Sequence, residues 1–113
     1  MDSILTSVKK LLGIDEAYEH FAADLIMHIN SVFMILCQMG VGPSTPYVIT
    51  DSSDEWTDFS DDVETMNAVR SYVFMKVRMI FDPPQNGTLM DSLKQLIDEC
   101  EWRLNVLKDK TNE

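Results

Sequence analysis

Tyr72-Val73-Phe74-Met75-Lys76-Val77-Arg78, running into Phe81-Asp82-Pro83-Pro84, reads as the late half of a helix and its stop. Upstream of it, Val63, Met66, Val69, Val73, Val77 and Ile80 recur at three- and four-residue steps, the spacing that lines one face of an α-helix. Phe74, Met75, Met79 and Phe81 fall elsewhere on the circumference, so a helix over about 61–81 is apolar on more than one side. Asp61, Asp62 and Glu64 put negative charge in the first turn, where the helix dipole favours it. Asp82 precedes a proline, which disfavours helical conformation and ends the segment.

The preceding helix is predicted over about 16–39 and has the same character. Phe21, Leu25, Ile29, Val32, Phe33 and Leu36 form the main stripe, while Met27, Met34 and Ile35 lie off it. Gly40 ends this helix and Gly42-Pro43 keeps it from resuming. A helix apolar nearly all round must be buried nearly all round. A chain of 113 residues is short for surrounding two such helices by itself. Burial against another subunit is the natural remedy, and it assigns Met27, Met34, Ile35, Val73, Phe74 and Met75 to a subunit interface.

Two shorter segments flank this pair. A helix over about 3–12 carries Ile4, Leu5, Val8, Leu11 and Leu12, with Gly13 placed as a left-handed C-cap and Ile14 as its apolar contact. A last helix over about 88–108 starts at Thr88, with Asp91 three residues on as a capping-box-like partner. Leu89, Leu93, Leu96, Ile97, Cys100, Leu104 and Leu107 form its stripe, and a polar tail follows over 108–113. The short Pro-Pro-Gln-Asn-Gly connection makes it an antiparallel neighbour of the helix before it.

Residues 43–60 lack helical periodicity. Tyr47-Val48-Ile49-Thr50, the turn-rich Asp51-Ser52-Ser53-Asp54 and Glu55-Trp56-Thr57 read either as a β-hairpin ordered against a neighbour or as a mobile acidic loop. The fold expectation is a single all-α domain over 1–113. It is a bundle of four helices with a hairpin or extended loop between the second and third.

Charge narrows the function classes. The net charge is −10, and no Lys or Arg occurs between Lys10 and Arg70, a gap that holds eleven carboxylates. Such a surface repels phosphate backbones, so tight non-specific nucleic-acid binding is disfavoured. Solubility alone would also account for it. The start of the chain lacks the basic run and cleavage site of a signal peptide. The longest apolar run, Leu25 to Met39, is interrupted by His28, Asn30, Ser31 and Gln38, so no membrane span is expected.

Chemistry finds little footing. His20, Asp24 and His28 stand at i, i+4 and i+8 and could share a helix face as metal ligands, but a closed site needs a fourth ligand and nothing obvious supplies it. No nucleophile elbow or Gly-rich phosphate loop occurs. Cys37 and Cys100 sit on apolar helical faces as buried thiols. The expectation is a non-enzyme without cofactor or metal.

Several phrases resemble one family. Leu11-Leu12-Gly13-Ile14, His28-Ile29-Asn30-Ser31, Gly40-Val41-Gly42-Pro43, Phe81-Asp82-Pro83-Pro84 and Glu101-Trp102-Arg103-Leu104-Asn105 look like the head–tail connector (adaptor) proteins of long-tailed bacteriophages. The resemblance extends from about Lys9 to Asn105. It implies a virion protein, assembled in the host cytoplasm, that forms a ring beneath the portal and extends the DNA channel toward the tail. It further implies a dodecameric ring as partner set, with the portal and a head- or tail-completion protein as neighbours, and DNA passing through unbound. Portal docking through a C-terminal segment would fall on Trp102, Arg103, Leu104 and Leu107. In such a ring the acids Asp51, Asp54, Glu55 and Asp58 would face the lumen or a neighbour close to it. The alternative is a small dimeric helical regulatory or scaffolding protein with an acidic partner-binding loop.

Overall fold

Ser3 starts the first helix, α1 (Ile4–Leu11), by accepting at Oγ from the Thr6 N–H at 3.2 Å. The computed structural model describes residues 3–15 and 17–111. After α1 the chain leaves through Gly13 at φ 80°, where the Gly13 N–H donates to the Lys10 carbonyl (3.1 Å) and the Ile14 N–H to that of Lys9 (2.8 Å). This is a Schellman stop, and half-buried Ile14 supplies its apolar contact.

The same device ends α2 (Ala22–Met39). Gly40 at φ 85° donates to Cys37 (3.0 Å), Val41 donates to Leu36 (2.9 Å), and Val41 is buried. The helix begins later than residue 16. Asp15 Oδ1 accepts from the Ala17 N–H (2.8 Å) and the Asp15 carbonyl from the Tyr18 N–H (2.9 Å), a local turn that competes with helix. Glu16 lies outside the described residues.

One turn of helix, α3 (Trp56–Phe59), stands where a returning strand was expected. Next comes α4 (Val63–Phe81), capped by Asp62, whose Oδ2 accepts from the Thr65 N–H at 3.0 Å. Finally α5 (Gly87–Thr111) begins at Asn86 rather than Thr88: Asn86 Oδ1 accepts from the Thr88 (2.8 Å) and Leu89 (3.3 Å) N–H groups. It runs through 108–111, so that part of the expected polar tail is helical; Asn112 and Glu113 lie outside the described residues.

The described residues therefore form five helices and no strand, one helix more than the periodicity predicts. The hairpin is absent for a concrete reason. Ile49 lies outside any regular element and is 1% exposed, and a side chain takes the place of a partner strand. Asn30 on α2 accepts from the Ile49 N–H (2.8 Å) and donates to the Ile49 carbonyl (3.0 Å). With both polar groups satisfied, nothing is left for a ladder at that residue.

α4 is the central element, packed against α5 on one side and α2 on another, with α3 against it and α1 against α2. Leu25, Ile29, Val32, Phe33 and Leu36 of α2 meet Val69, Tyr72, Val73 and Val77 of α4 in one core with Leu93, Ile97, Cys100 and Leu104 of α5. Contrary to the expectation from its polar interruptions, α2 is by length and composition alone apolar enough to cross a bilayer (18 residues, mean hydropathy 1.4). In this bundle its stripe is core, as for many buried helices.

Candidate interaction surfaces

The acidic segment is built around a buried tryptophan. Trp56 Nε1 donates to Ser7 Oγ on α1 at 2.8 Å, and the Ser7 hydroxyl in turn donates to the Ile4 carbonyl at 3.0 Å. Phe59 stacks on Phe33 with ring centres 5.2 Å apart, and Tyr47 meets both rings edge-on. Above this aromatic floor the carboxylates have local duties. Asp54 Oδ2 accepts from the Thr50 N–H (2.9 Å), Asp58 Oδ2 from the Glu55 N–H (3.0 Å), and Glu55 and Asp58 form the capping box of α3. The Asp54 carbonyl accepts from the Ile4 N–H at 2.9 Å, tying the segment to the start of α1. Asp51 accepts from the hydroxyl and N–H of Ser53, which hold its carboxyl below the usual range. Of the four acids predicted to face a lumen, Asp51 and Asp58 are exposed and Asp54 and Glu55 are half-buried.

The residues predicted as subunit interface divide. Met27 and Met34 are 57% and 53% exposed on the face of α2 opposite its core stripe. Ile35, Phe74 and Met75 are half-buried. Val73 is fully buried inside its own bundle and presents no surface, which corrects its assignment; it lies on the α4 stripe that α2 and α5 cover.

Phe74 and Met75 line an open groove of about 570 Å3 between α4 and α5, with Leu11 of α1 and Leu93 and Leu96 of α5 also in its lining. Arg70 and Arg78 stand on its rim. The Arg70 guanidinium lies 5.7 Å over the Trp56 ring, so it is held within the subunit. Both arginines are visible in the sequence, and they share the Phe74 face of the helix at eight-residue separation, but nothing local shows that they line one groove. A helical-wheel count of cations would pair them.

On α5 the predicted docking residues divide in the same way. Trp102 is 67% exposed, Arg103 is exposed and Leu107 half-buried, whereas Leu104 is fully buried and belongs to the core. Further along, Lys108 Nζ donates to the Met39 carbonyl at 3.1 Å, pinning the end of α5 to the end of α2. Within the α4–α5 seam the Tyr72 hydroxyl donates a hydrogen bond to Glu101. Burial first, then the Glu101 charge and that bond, push the phenol up to about 12.

The metal reading loses its geometry, since His20 precedes α2 and packs edge-on against Phe21 instead of sharing a helix face with His28. No cluster of three metal-binding side chains occurs among the described residues. The thiols are free; burial pushes that of Cys100 up, and its Sγ donates to the Ala68 carbonyl at 3.4 Å.

What remains is a small helical subunit with outward-facing apolar and aromatic side chains on several helices, the build of a protein made to sit against others. The sequence model of the phage connector protein family matches residues 4–111, and the chain belongs to that family. Membership makes it a structural component of the virion, a connector working against the portal or other phage proteins. No curated protein and no solved structure matches the chain.

Proposed function

We propose that the protein is a head–tail adaptor that assembles as a ring beneath the portal and carries the DNA channel toward the tail. The observation that carries this reading is family membership over nearly the whole chain, joined to apolar side chains left outward on α2, α4 and α5. Exposed apolar surface on more than one helix suits a subunit with neighbours on several sides. Trp102 and Arg103 are the portal-docking candidates, because a large exposed aromatic beside an arginine is the composition that dominates interface energetics.

The acidic segment supports a passive role toward DNA. A lining that neutralised phosphates would release counterions and grip the duplex, whereas repeated carboxylates repel it. Because Asp54, Glu55 and Asp58 also hold the local fold, the lumen assignment is best tested at Asp61 and Glu64, which are exposed. Asp61→Lys with Glu64→Lys is expected to keep the helix content and slow DNA passage in assembled particles; unchanged infectivity would remove the assignment. The adaptor reading itself is tested by mixing purified protein with its portal and measuring mass. A ring-sized complex is expected, and a chain that stays monomeric beside its portal would overturn the reading.

A further inference from the structure

Two surfaces of this subunit are unlike each other and complementary. One is the α4–α5 groove: concave, apolar through Leu11, Phe74, Met75 and Leu96, with Arg78 on its rim. The other is a ridge on α2. Asp24, Met27, Ser31 and Met34 fall at i, i+3, i+7 and i+10, and all four are exposed on one face. The Ser31 hydroxyl turns back to donate to the Met27 carbonyl at 3.0 Å, so the ridge offers two flexible thioethers with no unsatisfied hydroxyl between them.

Size and charge both match. Met27 and Met34 are about 10 Å apart along the axis and Arg70 and Arg78 about 12 Å, at 1.5 Å rise per residue. α2 carries no Lys or Arg, and its first turn carries Asp24. Among the described residues no carboxylate of the same subunit lies within ion-pair distance of Arg78, while Arg70 is engaged with Trp56.

We propose that the α2 ridge of one copy seats in the α4–α5 groove of the next, running antiparallel to α4 with Asp24 against Arg78 and Met27 over Phe74 and Met75. The pairing deepens the adaptor-ring reading and rests on it. It is a helix-in-groove contact, anchored at helical spacing. Because ridge and groove are different patches, each subunit gives one and receives one. Such head-to-tail contacts close into rings when the rotation allows.

The test is a charge exchange on the full chain, read by sedimentation velocity over a concentration series, with circular dichroism to verify folding. The wild-type chain is expected to self-associate. Asp24→Arg alone and Arg78→Glu alone should each weaken association at least about tenfold, since each sets like charges face to face. Mixing the two variants in equal amounts should restore it. The ridge of the Asp24→Arg protein then meets the groove of the Arg78→Glu protein with opposite charge, and the unaltered ridge of the second meets the unaltered groove of the first. Association that ignores the single reversals, or a mixture no better than its parts, would overturn the pairing and leave the adaptor reading standing. A wild-type chain that stays monomeric alone yet forms a ring-sized complex on portal moves the same comparison onto portal, where an unaffected ring overturns the pairing. Failure to assemble even there overturns the adaptor reading as well.

Discussion

Asn30 holds Ile49 by both of that residue's backbone groups, through hydrogen bonds of 2.8 and 3.0 Å that join positions nineteen apart in sequence. An asparagine amide has one acceptor and one donor edge, as a peptide does, so it serves as a single rung of sheet. That rung ties Ile49 to α2, where its side chain is buried.

Replacing Asn30 by Ala should therefore cost more than one surface hydrogen bond. Two bonds of about 1 kcal/mol each are lost and buried backbone groups are left without partners, for about 2–4 kcal/mol in all. Asn30→Asp keeps the acceptor but sets a carboxylate against the Ile49 carbonyl, and should be no better than Ala. Urea denaturation followed by far-ultraviolet circular dichroism measures both.

Gly42 and Gly13 separate strain from collision. Both have positive φ, but a Cβ at Gly13 meets open space, whereas at Gly42 it would stand 2.4 Å from Phe59 Cζ. Gly13→Ala should cost about 1–2 kcal/mol from the left-handed backbone alone. Gly42→Ala should cost clearly more, and Phe59→Leu should recover part of the excess in the double variant. Chemical denaturation midpoints of the four proteins decide it.

The two tryptophans report on opposite parts of the molecule. Trp56 is 1% exposed and Trp102 is 67% exposed. Trp102→Phe should leave blue-shifted emission resistant to acrylamide, and Trp56→Phe red-shifted emission that quenches readily. In the Trp56→Phe protein, addition of portal should shift the emission to the blue; an unchanged spectrum in a formed complex would remove Trp102 from the docking surface.

Tyr72 gives the alkaline limb of stability. Its phenol ionises at about 12 in the fold against an ordinary 10.0. The folded state thus favours the protonated form. This contribution is fully present below pH 10 and is lost as pH rises toward 12, because the unfolded chain ionises first. Denaturant midpoints stepped from about pH 9 to about pH 12 should fall, and the fall should be shallower in Tyr72→Phe.

The long helices α2 and α4 are legible in the sequence because branched and aromatic side chains at three- and four-residue steps fit a helix face and not the two-residue period of a strand. The predicted stops of α1 at Gly13 with Ile14, of α2 at Gly40 and of α4 before Pro83 stand where the sequence puts them. Residues 43–60 are not legible, for a physical reason. Tyr47 to Thr50 has the composition of a strand, but Ile49 is held by one amide on a distant helix, which no local pattern announces. Four residues are too few to show a helical period, so α3 has the look of a strand and Trp56 that of a loop residue instead of core. Val73 and Leu104 fail as surface residues because a wheel shows which residues share a face, not which neighbour covers it. The pairing of ridge and groove needs the third dimension, since Leu11, Phe74 and Leu96 come from three separate helices.

The 3.1 Å bond from Lys108 to the Met39 carbonyl has a mechanical consequence. A twenty-five-residue helix spans about 37 Å, and this one is fastened near its far end to the tip of the helix that carries the methionine ridge. Trp102 stands six residues before this bond on the same helix, so a displacement of α5 near Trp102 is shared with the end of α2. The bond thus couples the C-terminal ends of the two helices that carry Trp102 and the methionine ridge.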